Sequence, residues 1–203
     1  MSIPRSQARP NATASMSEEL HFTVNLYPEP VLRKEAVPVE SFDPGLAAVV
    51  DAMYRRMYES KGVGLAAPQV GIGQRILVIN PAGEEDDKSE ELALINPTIV
   101  DRFGDESIYE EGCLSFPGIY AEVKRPDKCK VEAQDVNGDK LELEFEGFAS
   151  RVIQHEYDHL QGILLVDRMS ATDKLRHRAA LGELVDDYKA SKAPAPKRGI
   201  FGR

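Results

Sequence analysis

The sequence predicts an α+β fold, in which antiparallel sheets pack around a central helix and a further helix closes the C-terminal side. Three observations carry that prediction. Strand-like runs crowd the middle of the chain next to one another, so they pair antiparallel rather than through helical crossovers. The clearest pair, residues 129–134 and 140–145, flanks Asn137-Gly138, a dipeptide that tolerates the positive φ of a tight hairpin turn. Behind it, residues 148–161 carry Phe148, Val152, Ile153, Tyr157 and Leu160 at helical spacing and stop at Gly162.

The remaining elements follow in order. Residues 1–17 are polar, with Arg5 and Arg9 but no acid, and predict a disordered N-terminal tail over 1–19, with an organelle transit peptide as the alternative. Asp43-Pro44 is an N-cap followed by proline at the first helical position. Leu46, Val49, Val50, Met53 and Met57 then predict a helix to about Ser60. Gly62 and Gly64 open an irregular stretch over 62–73, which leads into a strand over 75–79. The acidic run 83–91 has no apolar anchor and reads as a solvated loop. Strands over 93–95, 98–103 and 107–110 are punctuated by Asn96-Pro97 and Gly104-Asp105. A last helix spans about 172–190 after Ser170, with Leu175, Leu181, Leu184, Val185 and Tyr188. The Pro-, Gly- and Lys/Arg-containing residues 191–203 then form a mobile basic tail. A single domain over 20–190 accounts for the rest.

Composition narrows the function classes. Lys+Arg 25 against Asp+Glu 34 gives a formal charge of -9, which disfavours general binding to DNA or to anionic membrane surfaces. No apolar run approaches the roughly 20 residues that span a bilayer. Only Cys113 and Cys129 occur, and no charged-then-apolar leader precedes them, which fits free thiols in a reducing, cytoplasmic setting.

The chemistry concentrates on the central helix. His155, Glu156 and His159 spell H-E-x-x-H. At i and i+4 the two imidazoles share one face, roughly 5 to 6 Å apart at Cβ, so one ion can bridge them. Glu156 projects about 100° further round, close enough to reach a water on that ion without being a ligand. The central helix is thus a metal-binding helix. A catalytic site needs a third protein ligand. The metzincin extension fails, because its last His position holds Leu165. Asp167, Glu183, His21, His177, Cys113 and Cys129 stay open as donors on spacing alone. Local chemistry favours Cys113, which sits where Gly112 and Phe116-Pro117-Gly118 bend the backbone, whereas Cys129 reads as a small structural residue in a strand.

Three segments together resemble the peptide deformylase family: Gly62-Val63-Gly64-Leu65-Ala66-Ala67-Pro68-Gln69, Glu111-Gly112-Cys113-Leu114-Ser115, and Gln154-His155-Glu156-Tyr157-Asp158-His159-Leu160-Gln161-Gly162. The resemblance covers about residues 26–169. It implies a deformylase catalytic domain over 20–190 that removes the formyl group from the N-terminal formyl-methionine of new proteins and releases formate. It also implies Cys113, His155 and His159 as metal ligands, and ferrous iron (Fe2+) as the one ion per chain, with zinc, nickel or cobalt as substitutes that the same ligands accept. Glu156 becomes the proton carrier, and Gln69 with the backbone N–H of Leu114 stabilises the oxyanion. Val63, Gly64, Gly112, Val152 and Ile153 become candidates for contact with an N-formyl-Met nascent peptide, paired like an added strand. The ribosome near the exit tunnel is a candidate partner through Lys174, Arg176, Arg178 and the basic tail, with a plain solvated helix face as the equal alternative. The family departs from this chain at Tyr120, where many members carry arginine, while Arg125 matches a basic position and is expected to pair with Glu111.

Gly62-x-Gly64-x-x-Ala67 also fits a dinucleotide fingerprint, but that motif follows a strand and opens a helix, and here a helix precedes it. A H-E-x-x-H endopeptidase and a closed structural zinc domain are the other rivals.

Overall fold

The computed structural model describes residues 20–83 and 85–193. The N-terminal tail expected over 1–19, and all but the first three residues of the tail expected over 191–203, lie outside them.

The strands form one five-stranded antiparallel sheet in chain order: β1 (Gly64–Ala66), β2 (Ile76–Ile79), β3 (Leu92–Gly112), β4 (Tyr120–Gln134) and β5 (Lys140–Glu146). The order leaves β1 and β5 as edges. Helix α1 (Pro44–Glu59) begins where Asp43 accepts from the N–H groups of Gly45 and Leu46, as its cap sequence predicts. Helix α2 (Gly147–Leu160) packs against all five strands and is the centre of the molecule. Its Val152, Ile153 and Leu160 share a core with Leu77, Leu94, Val131 and Phe145. A second core lies between α1 and the sheet, where Met53 and Met57 meet Leu65, Ile76 and Val78. No helix among the described residues is long and apolar enough to cross a membrane.

Several expectations need revision. The stretch 62–73 is not irregular throughout: Gly64, Leu65 and Ala66 pair with Ile79, Val78 and Leu77, and a 3-10 turn, Ala67–Val70, follows. The three separate strands expected over 93–110 are one long strand, β3. Asn96, at φ 52°, and Gly104 fall at shifts of the β3–β4 register, so the punctuation marks bulges and not ends. Its partner β4 begins at Tyr120, well before the expected 129. The last helix is two: α4 (Ala171–Arg176) and α5 (Arg178–Lys192), separated at His177, with the short α3 (Leu165–Arg168) before them. The ragged apolar stripe explains the break, because Leu175 stays 71% exposed while Leu181 and Leu184 pack inward.

Candidate metal centre and cleft

Cys113 immediately follows β3, at the point where the chain leaves the sheet. Two successive turns, closed by Phe116 N–H to Cys113 C=O at 2.8 Å and Ile119 N–H to Phe116 C=O at 3.1 Å, carry it to β4. The bend presents Cys113 to α2. Its Sγ lies 3.3 Å from His159 Nε2, and the donor atoms of Cys113, His155 and His159 all lie within 4.8 Å of one another. Among the described residues this is the one such cluster. The other candidates are elsewhere: Cys129 is buried within β4, His177 sits between α4 and α5, and Asp167 pairs with Arg33 and accepts from Leu164 N–H.

Glu156 is 5% exposed, and its Oε2 is buried without a hydrogen-bond partner. Burial raises its carboxyl to about 7; Glu111 and Asp158 add to the rise, while the charges of His155 and Arg125 oppose it. A buried carboxyl oxygen with no hydrogen-bond partner, beside one soft and two borderline donors that converge, fits a divalent cation.

His155 is held from behind. Glu111 accepts from its Nδ1 at 3.0 Å, from Arg125 Nε and Nη2 at 2.7 and 2.9 Å, and from Arg151 Nη1 at 2.8 Å. Burial works to raise the Glu111 carboxyl, but the hydrogen bonds from His155 and Arg125 and their charges hold it at about 2. An ionised carboxylate only accepts, so Nδ1 carries a proton; burial works to lower the His155 pKa, but hydrogen bonds to Cys113 and Glu111 and the charges of Cys113 and Glu156 hold it well above the ordinary value, and Nε2 is the nitrogen that would give up its proton to an ion. The pairing of Glu111 with Arg125 is the one expected from sequence. For His159, burial and then the charges of His155 and Arg125 push the imidazole pKa well below its ordinary value, which keeps that ring neutral and able to ligate.

A cleft of about 890 Å³ opens onto these groups, lined among others by Val63, Gly64, Gln69, Gly112, Leu114 and Val152. Gln69 is 1% exposed; its Oε1 accepts from Ala66 N–H at 2.8 Å, which turns Nε2 toward Cys113 Sγ at 3.7 Å and Ser115 Oγ at 3.3 Å. Ile153 does not line the cleft. One residue is about 100° of helix, enough to carry it from the Val152 side into the core, where it is 1% exposed.

Residues 22–175 match the polypeptide deformylase family. The chain belongs to that family. It is 44% identical over 178 residues to the chloroplastic peptide deformylase 1B of Oryza sativa subsp. japonica, covering 88% of this chain and 66% of that protein. The chain spans 63 to 66% of the length of the plant relatives it matches. Against the peptide deformylase of Thermotoga maritima it is 42% identical over 168 residues, which is 83% of this chain and 99% of the relative. The crystal structure of peptide deformylase from Plasmodium falciparum superposes with a TM-score of 0.82 at 44% identity, covering 85% of this chain and 100% of that one. A plant peptide deformylase 1B structure gives 0.83 at 39% identity, covering 91% and 100%.

Sequence reasoning passed over Arg151, Asp158, Tyr109 and Phe148. Arg151 and Asp158 stand four residues before and three after His155, hence on its helix face, and that spacing was a usable signal. Tyr109 and Phe148, 6.2 Å apart between ring centroids, line the cleft, and nothing local in the sequence joins residues from β3 and α2.

Proposed function

We propose that this deformylase hydrolyses the N-formyl amide of formyl-methionine at the start of newly synthesised polypeptides, releasing formate and a free amine. The observation that carries the reading is the buried Glu156 carboxyl, whose Oε2 has no hydrogen-bond partner, beside the convergent Cys113, His155 and His159 donors.

Cys113, His155 and His159 would hold the ion, which when bound supplies Lewis acidity, lowering the pKa of a water and drawing charge from a carbonyl oxygen. The other steps belong to side chains. Glu156 takes a proton from the water as its oxygen adds to the formyl carbon. A carboxyl near neutrality both takes and returns a proton readily, so the same Oε delivers that proton to the departing amine nitrogen as the C–N bond breaks. The amide of Gln69, fixed by Ala66 N–H, and the backbone N–H of Leu114 donate to the developing oxyanion.

β1 is an edge strand whose Gly64, with Val63 before it, lines the cleft, which supports main-chain pairing with an extended peptide that accepts varied sequences. Val63, Gly64, Gly112 and Val152 then face the methionine end, with Ile153 bracing Val152 from the core. Ferrous iron is the proposed ion, and a ferrous site with a thiolate ligand should be oxygen-sensitive. Anaerobic purification with metal analysis tests it. The setting is a bacterial cytoplasm, or an organelle like those of the chloroplastic relatives. Exposed Lys174, Arg176 and Arg178 would meet ribosomal RNA near the exit tunnel; co-sedimentation with ribosomes that survives their replacement by Gln removes that contact. Formate release from formyl-Met peptides, absent with their unformylated counterparts, tests the activity.

A further inference from the structure

Behind the ligand His155, buried charge continues past Glu111 to the surface. Arg125 spends Nε and Nη2 on Glu111 and Nη1 on Asp158 Oδ2, at 2.8 Å. Arg168, on α3, grips Asp158 with Nε at 3.0 Å from Oδ2 and Nη2 at 2.5 Å from Oδ1. Side-chain exposure falls from 40% at Arg168 to 7% at Asp158 and 6% at Arg125 and Glu111.

We propose that Arg168 is a positioning residue for the metal ligand His155, acting through Asp158, Arg125 and Glu111. The inference rests on the reading that Cys113, His155 and His159 hold a metal ion. A guanidinium is planar and stiff, so the direction of Nη1 fixes the directions of Nε and Nη2. Arg125 thereby converts the orientation of Asp158 into the orientation of Glu111, and Glu111 sets the ring of His155. Without Arg168 the buried Asp158 loses the donor to Oδ1 and turns toward water at the α3 edge, taking Nη1 of Arg125 with it. Helix α3 itself stays docked, because Asp167 still pairs with Arg33 and Leu165 remains buried.

The sign of the effect separates this relay from simple electrostatics. Removing a positive charge near a cation site strengthens cation binding through space. The relay predicts the opposite. The test is Co2+ affinity of the full chain, measured by competition with a chelator, for wild type, Arg168→Gln, Arg168→Lys and both changes in a Glu111→Gln background. Arg168→Gln should bind Co2+ about three- to tenfold more weakly at unchanged stoichiometry, below the loss typical of a direct partner of a ligand. Arg168→Lys, which keeps the charge but not the fork, should fall between. In Glu111→Gln the Arg168 change should have no further effect. Unchanged or tighter Co2+ binding in Arg168→Gln overturns the relay, as does an equal loss in the Glu111→Gln background. A lowered melting temperature with unchanged affinity assigns Arg168 to structure alone. Wild type that binds no Co2+ overturns the metal reading and the relay together.

Discussion

Gly64 and Glu156 occupy adjoining space: a Cβ added at position 64 would lie 2.5 Å from Glu156 Oε1 and 2.8 and 2.9 Å from its Cγ and Cδ. Three atoms of a buried side chain are blocked, so Glu156 cannot step aside by moving its tip alone. Gly64→Ala should therefore cut kcat/KM about a hundredfold or more, the scale of a displaced general base, while metal content stays at wild type. Wild-type kinetics in that variant would mean that Glu156 has slack the contact does not suggest.

The raised Glu156 carboxyl also links stability to pH in the metal-free protein. Its folded value of about 7 exceeds the ordinary 4.5, so the folded state binds the extra proton, and stability falls as pH rises from 4.5 through 7. The full loss is about 3 kcal/mol above that window. Glu156→Gln, which cannot ionise, should flatten this part of the slope in denaturant titrations of metal-free protein. A slope identical to wild type would contradict the assignment.

Glu111 faces two arginines and a histidine in a buried site. Replacing it by Gln leaves Arg125 and Arg151 short of a counter-charge, a loss of about 3–5 kcal/mol of stability. Metal affinity should drop about 10- to 100-fold as His155 loses its fixed tautomer and orientation. Chelator competition checks the second effect separately from the first, and unchanged affinity would remove Glu111 from the metal centre.

Tyr120 covers Gly112 across the β3–β4 pair, and a Cβ at 112 would meet its ring at 2.8 and 3.0 Å. Tyr120 is 54% exposed, so its ring has solvent to move into. Gly112→Ala should thus leave stability within about 1 kcal/mol and raise KM for formyl peptides a few-fold as the cleft wall moves. A changed kcat with constant KM would place Gly112 in the chemistry and not in the wall.

How much of this was legible in the sequence depended on chain distance. The helical pair His155 and His159 is four residues apart, and local periodicity fixes it. Asn137-Gly138 announced its hairpin for the same reason, and Asp43-Pro44 announced α1. The length of β3 and β4 was not legible, because Asn96-Pro97 and Gly104-Asp105 look like ends, and only pairing with a strand further along the chain turns them into bulges. The bent backbone around Cys113 favours it, but spacing alone does not choose it over Cys129 or Asp167. Residues 44 apart meet in the bond between Glu111 and His155, and no local pattern encodes it. Ile153 missed the cleft because a helical neighbour of Val152 faces about 100° away.

The most direct test is formate release from a formyl-Met peptide by the anaerobically purified, metal-loaded chain, side by side with Glu156→Gln. Rapid release by wild type, and at least a thousandfold less, on the order of a lost general base, from a variant that retains its metal, is the predicted result. Absence of formate from the loaded wild type, or undiminished release by Glu156→Gln, would contradict the account.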